Sequence, residues 1–202
     1  MIIQGMRGRG KTNLCKSYTS EMEPLYIVDM RNEYKDIPAF TNLSDFKTYI
    51  LSRQYILDKG NIKKEQFRFT FRSQKELSIL LELFAYFRNC TVVIDEADAL
   101  CSMKLLASSI INLTMGSRNQ NISLIFIGKR PFLIPIFIRS QCDQFIIFQV
   151  EESRDIKYLE NRLRLNFPKQ AYQLTTGEAI ICKSGEKPEL KKFPLFKEEI
   201  KK

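Results

Sequence analysis

Gly5-Met6-Arg7-Gly8-Arg9-Gly10-Lys11-Thr12 is the stretch that decides the fold. It fills the pattern G-x-x-x-x-G-K-[ST] at every fixed position, and Gly8 adds a further glycine inside it. Three of the chain's eight glycines lie here, so it is the backbone that is being shaped. Met1-Ile2-Ile3-Gln4 ahead of it reads as a strand stub, and Asn13-Leu14-Cys15-Lys16-Ser17-Tyr18 behind it continues as helix. A strand, a glycine-rich turn and a helix N-terminus in that order make a phosphate-binding loop. The glycines let successive N–H groups turn inward onto phosphate oxygens, and the helix end adds its partial positive charge. The expected nucleotide-binding residues are therefore Gly5, Met6, Arg7, Gly8, Arg9, Gly10, Lys11, Thr12 and Asn13. Lys11 is expected to reach the β- and γ-phosphates and the Thr12 hydroxyl to ligate Mg2+, which makes ATP and Mg2+ the expected cofactors. Arg7 and Arg9 either add phosphate contacts or face solvent, and the sequence leaves both open.

Working outward, Leu25-Tyr26-Ile27-Val28-Asp29 reads as a buried strand ending in an acid, followed by a short helix near Leu43 to Leu57 and a turn at Lys59-Gly60-Asn61. Gln66 to Arg72 alternates, with Phe67, Phe69 and Phe71 on one face and Arg68 and Arg72 on the other, the pattern of a half-buried strand. Ser73 and Glu76 have capping-box spacing for a helix running to Phe87. Thr91-Val92-Val93-Ile94 is a continuous apolar run suited to a parallel strand buried on both faces. A helix over 103–115, strands over 122–127 and 144–148, a helix over 153–165 and a short strand over 178–182 complete the pattern. From Lys183 onward, seven lysines and four glutamates predict a loose, basic tail. Strands alternating with helices predict an α/β three-layer fold with a mostly parallel central sheet. The expected organisation is one domain over 1–185 and a C-terminal tail over 186–202.

A chain of 202 residues, 44% hydrophobic and 27% charged, has the composition of a soluble globular domain. The net charge of +9 fits either an anionic partner or a lysine-rich solvated surface. Five cysteines without a C-x-x-C pair, and no histidine, argue against zinc and for reduced thiols in a cytoplasmic setting. The loop starts at residue 5, so neither a signal peptide nor an N-terminal domain is expected ahead of it. The most apolar stretch, 122–138, is broken by Lys129-Arg130-Pro131, so no membrane insertion is expected.

A phosphate loop needs an acid for its metal. Asp95, at the end of the strand containing Val92 to Ile94, has the required context, and is expected to hold Mg2+ through water. Glu96 is expected to polarise the water that attacks the γ-phosphate. An ordinary N-terminal acid pair at a strand-to-helix junction is the structural alternative. Residues 95–98 spell D-E-A-D, but a helicase of that type needs a second domain, for which the chain is too short.

Five further blocks resemble the FtsK–HerA superfamily of RecA-like, ASCE-type P-loop NTPases, in particular its HerA-like and viral genome-packaging members. Asp29-Met30-Arg31-Asn32-Glu33-Tyr34 is similar to the family's D-x-x-G-E-Y, with Asn32 where glycine is usual. Val92-Val93-Ile94-Asp95-Glu96-Ala97-Asp98 resembles its Walker B segment. Gly116-Ser117-Arg118-Asn119-Gln120-Asn121-Ile122, Arg139-Ser140-Gln141-Cys142-Asp143 and Thr176-Gly177-Glu178-Ala179-Ile180-Ile181 are similar to three later blocks. The chain departs from the family at Gly128-Lys129-Arg130-Pro131, where Lys129 takes the place of a glutamine that senses the γ-phosphate. The resemblance implies that Arg118 acts as a finger on a neighbouring subunit's nucleotide, with Arg139 in reserve. A helix C-terminal arginine meeting the dipole is the other reading of Arg118. The implied activity is ATP-driven translocation of double-stranded DNA by a homo-oligomeric ring, a hexamer or pentamer. A viral packaging ATPase in the host cytoplasm or virion, with a capsid or portal partner, is the form expected. HerA-like, conjugation-type and filamentous-phage assembly motors are the nearest alternatives. A small-molecule kinase and a nucleotide-gated interaction protein are the alternatives of other classes.

Overall fold

The continuous apolar runs of the sequence are the strands buried most completely. In the computed structural model, which describes residues 1–57, 65–163 and 173–194, every residue of β1 (Ile2–Gln4), β2 (Leu25–Val28) and β5 (Cys90–Ile94) is buried. Such strands need cover on both faces, which a parallel sheet supplies. Between these lie α1 (Lys11–Thr19), β3 (Ala39–Phe40), α2 (Leu43–Leu57), β4 (Gln66–Phe69) and α3 (Gln74–Phe84). After β5 come α4 (Ala97–Cys101), α5 (Lys104–Ser117) and β6 (Ile122–Gly128). A 3-10 turn (Pro131–Leu133), α6 (Ile136–Ser140), β7 (Gln144–Ile147), α7 (Ser153–Leu163), β8 (Glu178–Lys183) and β9 (Glu189–Lys192) follow.

The strands form one nine-stranded sheet in the order β3-β4-β2-β5-β6-β1-β7-β8-β9. The insertion of β6 between β5 and β1 is the order expected of a RecA-like P-loop fold. The chain divides into two compact units, one of Met1–Glu21, Ala97–Ala99 and Phe126–Lys202, the other of Met22–Glu96 and Leu100–Ile125. In the first, β1 runs parallel to β6 and β7, whereas β8 is antiparallel to both β7 and β9. In the second, β2 is parallel to β4 and β5, and β3 to β4. The second unit has an aromatic core: Phe69 lies within 6.4 Å, ring to ring, of Tyr26, Phe40, Phe46, Phe71 and Phe84.

Several local expectations change in the structure. The strand predicted to Arg72 stops at Phe69, because β2 ends at Val28 and β3 offers only two residues to pair with. Arg68 is not a solvent-facing residue: its Nε donates to the Ile37 carbonyl at 2.8 Å. Ser73 caps α3 by accepting the Glu76 N–H, but the Glu76 carboxylate accepts from Leu43 N–H instead of closing the box. That helix ends at Phe84, three residues short of the expectation, and the N–H groups of residues 85–87 bond three residues back. The tail read as loose contains β9. The predicted turn at 59–61 and the end of the helix at 164–165 fall outside the described residues.

Candidate nucleotide site

In the first unit the phosphate loop is a closed, anchored turn. Gly5 has φ +136°, and a Cβ there would stand 2.7 Å from Phe148 Cβ, so no other residue fits. Gly10 caps α1 with φ 104°, in the left-handed region, and the Leu14 N–H bonds its carbonyl at 2.8 Å. Met6 N–H donates to Gln149 O at 2.8 Å, and Gly177 N–H donates to Arg9 O at 3.1 Å. Lys11 Nζ donates to the Met6 carbonyl at 2.7 Å, which places the ammonium across the loop. Thr12 and Asn13, half-buried, occupy the first turn of α1. Of the two loop arginines, Arg9 donates from Nη1 to Thr176 Oγ1 at 3.4 Å, whereas Arg7 is exposed and lines a cavity.

That cavity, about 680 Å³, is walled by Met6 and Arg7 on one side and by Lys129, Arg130, Glu152 and Asp155 on another. Lys129 thus lines the same cavity as Met6 and Arg7 of the phosphate loop. The turn holding Lys129 is anchored by two buried carboxylates. Asp98 Oδ2 accepts Arg130 N–H at 3.1 Å, and Asp155 Oδ1 accepts Phe132 N–H at 3.2 Å. Burial raises the Asp155 pKa, while the Phe132 N–H and the Arg130 guanidinium pull it back. No residue-level signal marked Asp155 in the sequence, and Asp98 was visible only as the end of D-E-A-D.

In the second unit the acids are gathered at the ends of β2 and β5. Asp95 is buried, and desolvation pushes its carboxyl up to about 7; the Glu96 N–H opposes the shift, and the charges of Glu33, Glu96 and Asp29 add to it. A buried carboxylate crowded by three others is short of positive charge, which is the chemistry a divalent cation supplies. Among the described residues no cluster of three or more His, Cys, Asp or Glu holds a metal alone.

Glu96 lies next to Asp95 with a left-handed backbone, φ 53°, and its Oε1 pairs with Arg31 Nε at 2.8 Å. Sequence reasoning missed Arg31. Asp29 organises the turn that follows β2. Its two oxygens accept Glu33 N–H at 2.9 Å and Tyr34 N–H at 3.0 Å, and Arg68 meets it at 3.4 Å. Asn32 has φ 58° and accepts a hydrogen bond from Arg68. Its place in a glycine position is thereby explained, since asparagine is among the residues that tolerate that backbone.

Arg118 is exposed at the C-cap of α5. Arg139 is 5% exposed, with its guanidinium 3.9 Å from the Tyr158 ring centroid. Burial in a cation–π contact takes Arg139 off the surface that a reserve finger requires. No helix among the described residues is long and apolar enough to cross a membrane.

Comparison with known proteins gives the family and the fold. A protein-family model described as the ATPase family associated with various cellular activities (AAA) matches residues 1–150. Among solved structures, the genome packaging NTPase B204 of Sulfolobus turreted icosahedral virus 2, in complex with AMPPCP, superposes with a TM-score of 0.70 at 16% identity. The match covers 96% of this chain and 97% of that one. The DNA-packaging ATPase B204 of Sulfolobus turreted icosahedral virus gives 0.70 at 18% identity, with 96% of each chain covered. VirB4 of Thermoanaerobacter pseudethanolicus gives 0.66 at 9% identity, covering 96% of this chain and 88% of that one. No curated protein matches.

Proposed function

The chain belongs to the ATPase family associated with various cellular activities (AAA), and from that premise we propose that it is a viral genome-packaging ATPase that drives double-stranded DNA using ATP and Mg2+. The observation that carries the reading is coextension: a packaging NTPase bound to an ATP analogue spans 97% of its own length against 96% of this one. The Gly5–Asn13 loop binds the nucleotide phosphates, with Lys11 on the β- and γ-phosphates. Thr12 and Asp95 would hold Mg2+, which would offset the charge of the phosphates. Glu96 orients and polarises the attacking water, and Lys129 meets the γ-phosphate as a point charge rather than an amide. Arg118 acts on the nucleotide of a neighbouring copy, which makes a homo-oligomeric ring, hexamer or pentamer, the working form. The exposed position of Arg118 supports that role. Channel-facing lysines and arginines contact the DNA backbone without reading its sequence. A capsid or portal protein is the expected docking partner, in host cytoplasm or virion.

The test is ATP turnover with and without long double-stranded DNA, measured alongside oligomer mass. Turnover by an oligomer that rises with DNA supports the proposal, and a monomer that phosphorylates a nucleoside overturns it. Mixing Arg118→Ala with Glu96→Gln subunits addresses the finger: activity recovered on mixing places Arg118 across an interface. No recovery at any ratio removes it from that role. A second reading, a nucleotide-gated binding protein with little turnover, is favoured by one observation: Glu96 is held by Arg31.

A further inference from the structure

Asp98, the last residue of D-E-A-D, has no part in the nucleotide chemistry above, yet it is a buried acid. Its Oδ2 accepts the Arg130 N–H at 3.1 Å, and its Oδ1 is buried with no hydrogen-bond partner. A Cβ on Gly128 would stand 2.9 Å from Oδ1, so the carboxylate lies against the end of β6 where glycine leaves room for it. The peptide group that Asp98 holds is the one joining Lys129 to Arg130. On the far side of the turn Asp155 accepts the Phe132 N–H and faces the Arg130 guanidinium at 3.7 Å, and Glu152 pairs with the same guanidinium at 2.7 Å. Lys129 therefore rides on a segment pinned at both ends, and it shares a cavity wall with Met6 and Arg7 of the phosphate loop.

We infer that Asp98 is a positioning residue for Lys129: it fixes the backbone from which the lysine ammonium is presented to the terminal phosphate of bound nucleotide. The inference rests on the nucleotide reading above. A lysine carries its charge on a flexible stem, so where the charge arrives depends on where its backbone is held. A hydrogen bond with an ionised acceptor is roughly twice as strong as a neutral one, which suits a strut. The strut extends toward the loop. Gln4 is in register with Gly128 across the β1–β6 pair, so its side chain leaves the sheet on the face where Asp98 lies. Gln4 is fully buried, and both amide atoms lack a hydrogen-bond partner. Gln4, the residue before Gly5, and Asp98, which holds the sensor turn, thus leave unmet hydrogen-bonding groups on the same face of the sheet.

The test measures steady-state turnover of Mg-ATP with long double-stranded DNA, ATP affinity and melting temperature, all on the full chain. Asp98→Ala is expected to lower kcat by about 100-fold, the scale of a misplacement near 1 Å. ATP affinity should stay within about threefold, because the lost interaction acts in the transition state. Asp98→Asn keeps an acceptor oxygen for the Arg130 N–H and should keep at least about a tenth of wild-type turnover. Gly128→Ala pushes a methyl into the same carboxylate and should reproduce Asp98→Ala. Lys129→Ala is the deciding background: adding Asp98→Ala to it should cost less than about twofold more, because groups acting as a unit are not additive. Wild-type kcat in Asp98→Ala, or losses that multiply on the Lys129→Ala background, overturn the inference. Should Asp98→Ala fail to fold, the same cycle with Asp98→Asn and Gly128→Ala decides it by the same criterion. Lys11→Ala separates the two possible failures. If it is inactive while Asp98→Ala runs at full rate, only the positioning role is lost; if it is active, the nucleotide reading fails.

Discussion

The phosphate loop and the acidic turns both pass through left-handed backbone, but they build it from different residues. The loop uses Gly5, Gly8 and Gly10, with φ of 136°, 74° and 104°. The acidic turns use Asn32 and Glu96, with φ of 58° and 53°. The difference follows from which atoms do the chemistry. On the proposed reading the loop meets its ligand through backbone N–H groups, so a side chain is dispensable and glycine enters the left-handed region without penalty. The role proposed for Glu96 needs its carboxylate, so the residue stays and the backbone bears roughly 1–2 kcal/mol of strain. Long-range contacts hold it there, namely Arg31 on Glu96 and, for Asn32, Arg68. A glycine-built turn is therefore stable on local grounds, and an acid-built turn depends on its surroundings.

Substitutions on the two sides sharpen or break that contrast. Lys11→Ala on the loop side should have the largest effect, a fall in ATP turnover of at least about 100-fold with loss of nucleotide binding, read by turnover and a fluorescent-nucleotide titration. Gly5→Ala should destabilise by about 2–5 kcal/mol in denaturant unfolding, from left-handed strain and a Cβ with nowhere to go. On the acidic side, Arg31→Ala releases Glu96 from a partly exposed pair and should raise basal turnover about two- to fivefold, with ATP affinity unchanged. The smallest effect belongs to Asn32→Gly. Relief of strain and loss of the Arg68 hydrogen bond are each about 1 kcal/mol and opposite in sign, so stability should stay within about 1 kcal/mol of wild type. A loss as large as that of Gly5→Ala would show that the acidic turn is not locally strained at all.

Much of the fold was legible because its central strands carry their burial in their own residues. Val92 to Ile94 and Leu25 to Val28 leave no polar face, and they are buried as read. The strand β3 was not legible, since two residues carry no periodicity. Nor was β9, whose Glu-Leu-Lys-Lys sequence reads as tail. Its exposed lysines sit on an edge strand, where charge discourages pairing with another chain. Within the candidate site, Lys11, Thr12, Asp95 and Glu96 were legible from motif spacing. Arg31, Asp98 and Asp155 were not, because each is defined by a partner on another element: Glu96 for Arg31, Arg130 for Asp98, Phe132 and Arg130 for Asp155.

Eight residues from Gly5 to Thr12, by themselves, determined the expectation of a phosphate-binding loop, because such a loop is local chemistry: glycine backbone, one lysine and one hydroxyl within reach of each other along the chain. The apolar runs likewise determined a buried, mostly parallel sheet. What only the tertiary structure decided is how the charges are distributed. It turned Arg9 toward Thr176, put Arg139 under Tyr158 and Arg31 on Glu96, and closed Asp98 onto the turn that carries Lys129. The reason is that an ion pair between residues far apart in sequence depends on which strands neighbour one another and in what register. Hydrophobic pattern specifies that a strand is buried, and the assembled sheet specifies which charge it meets.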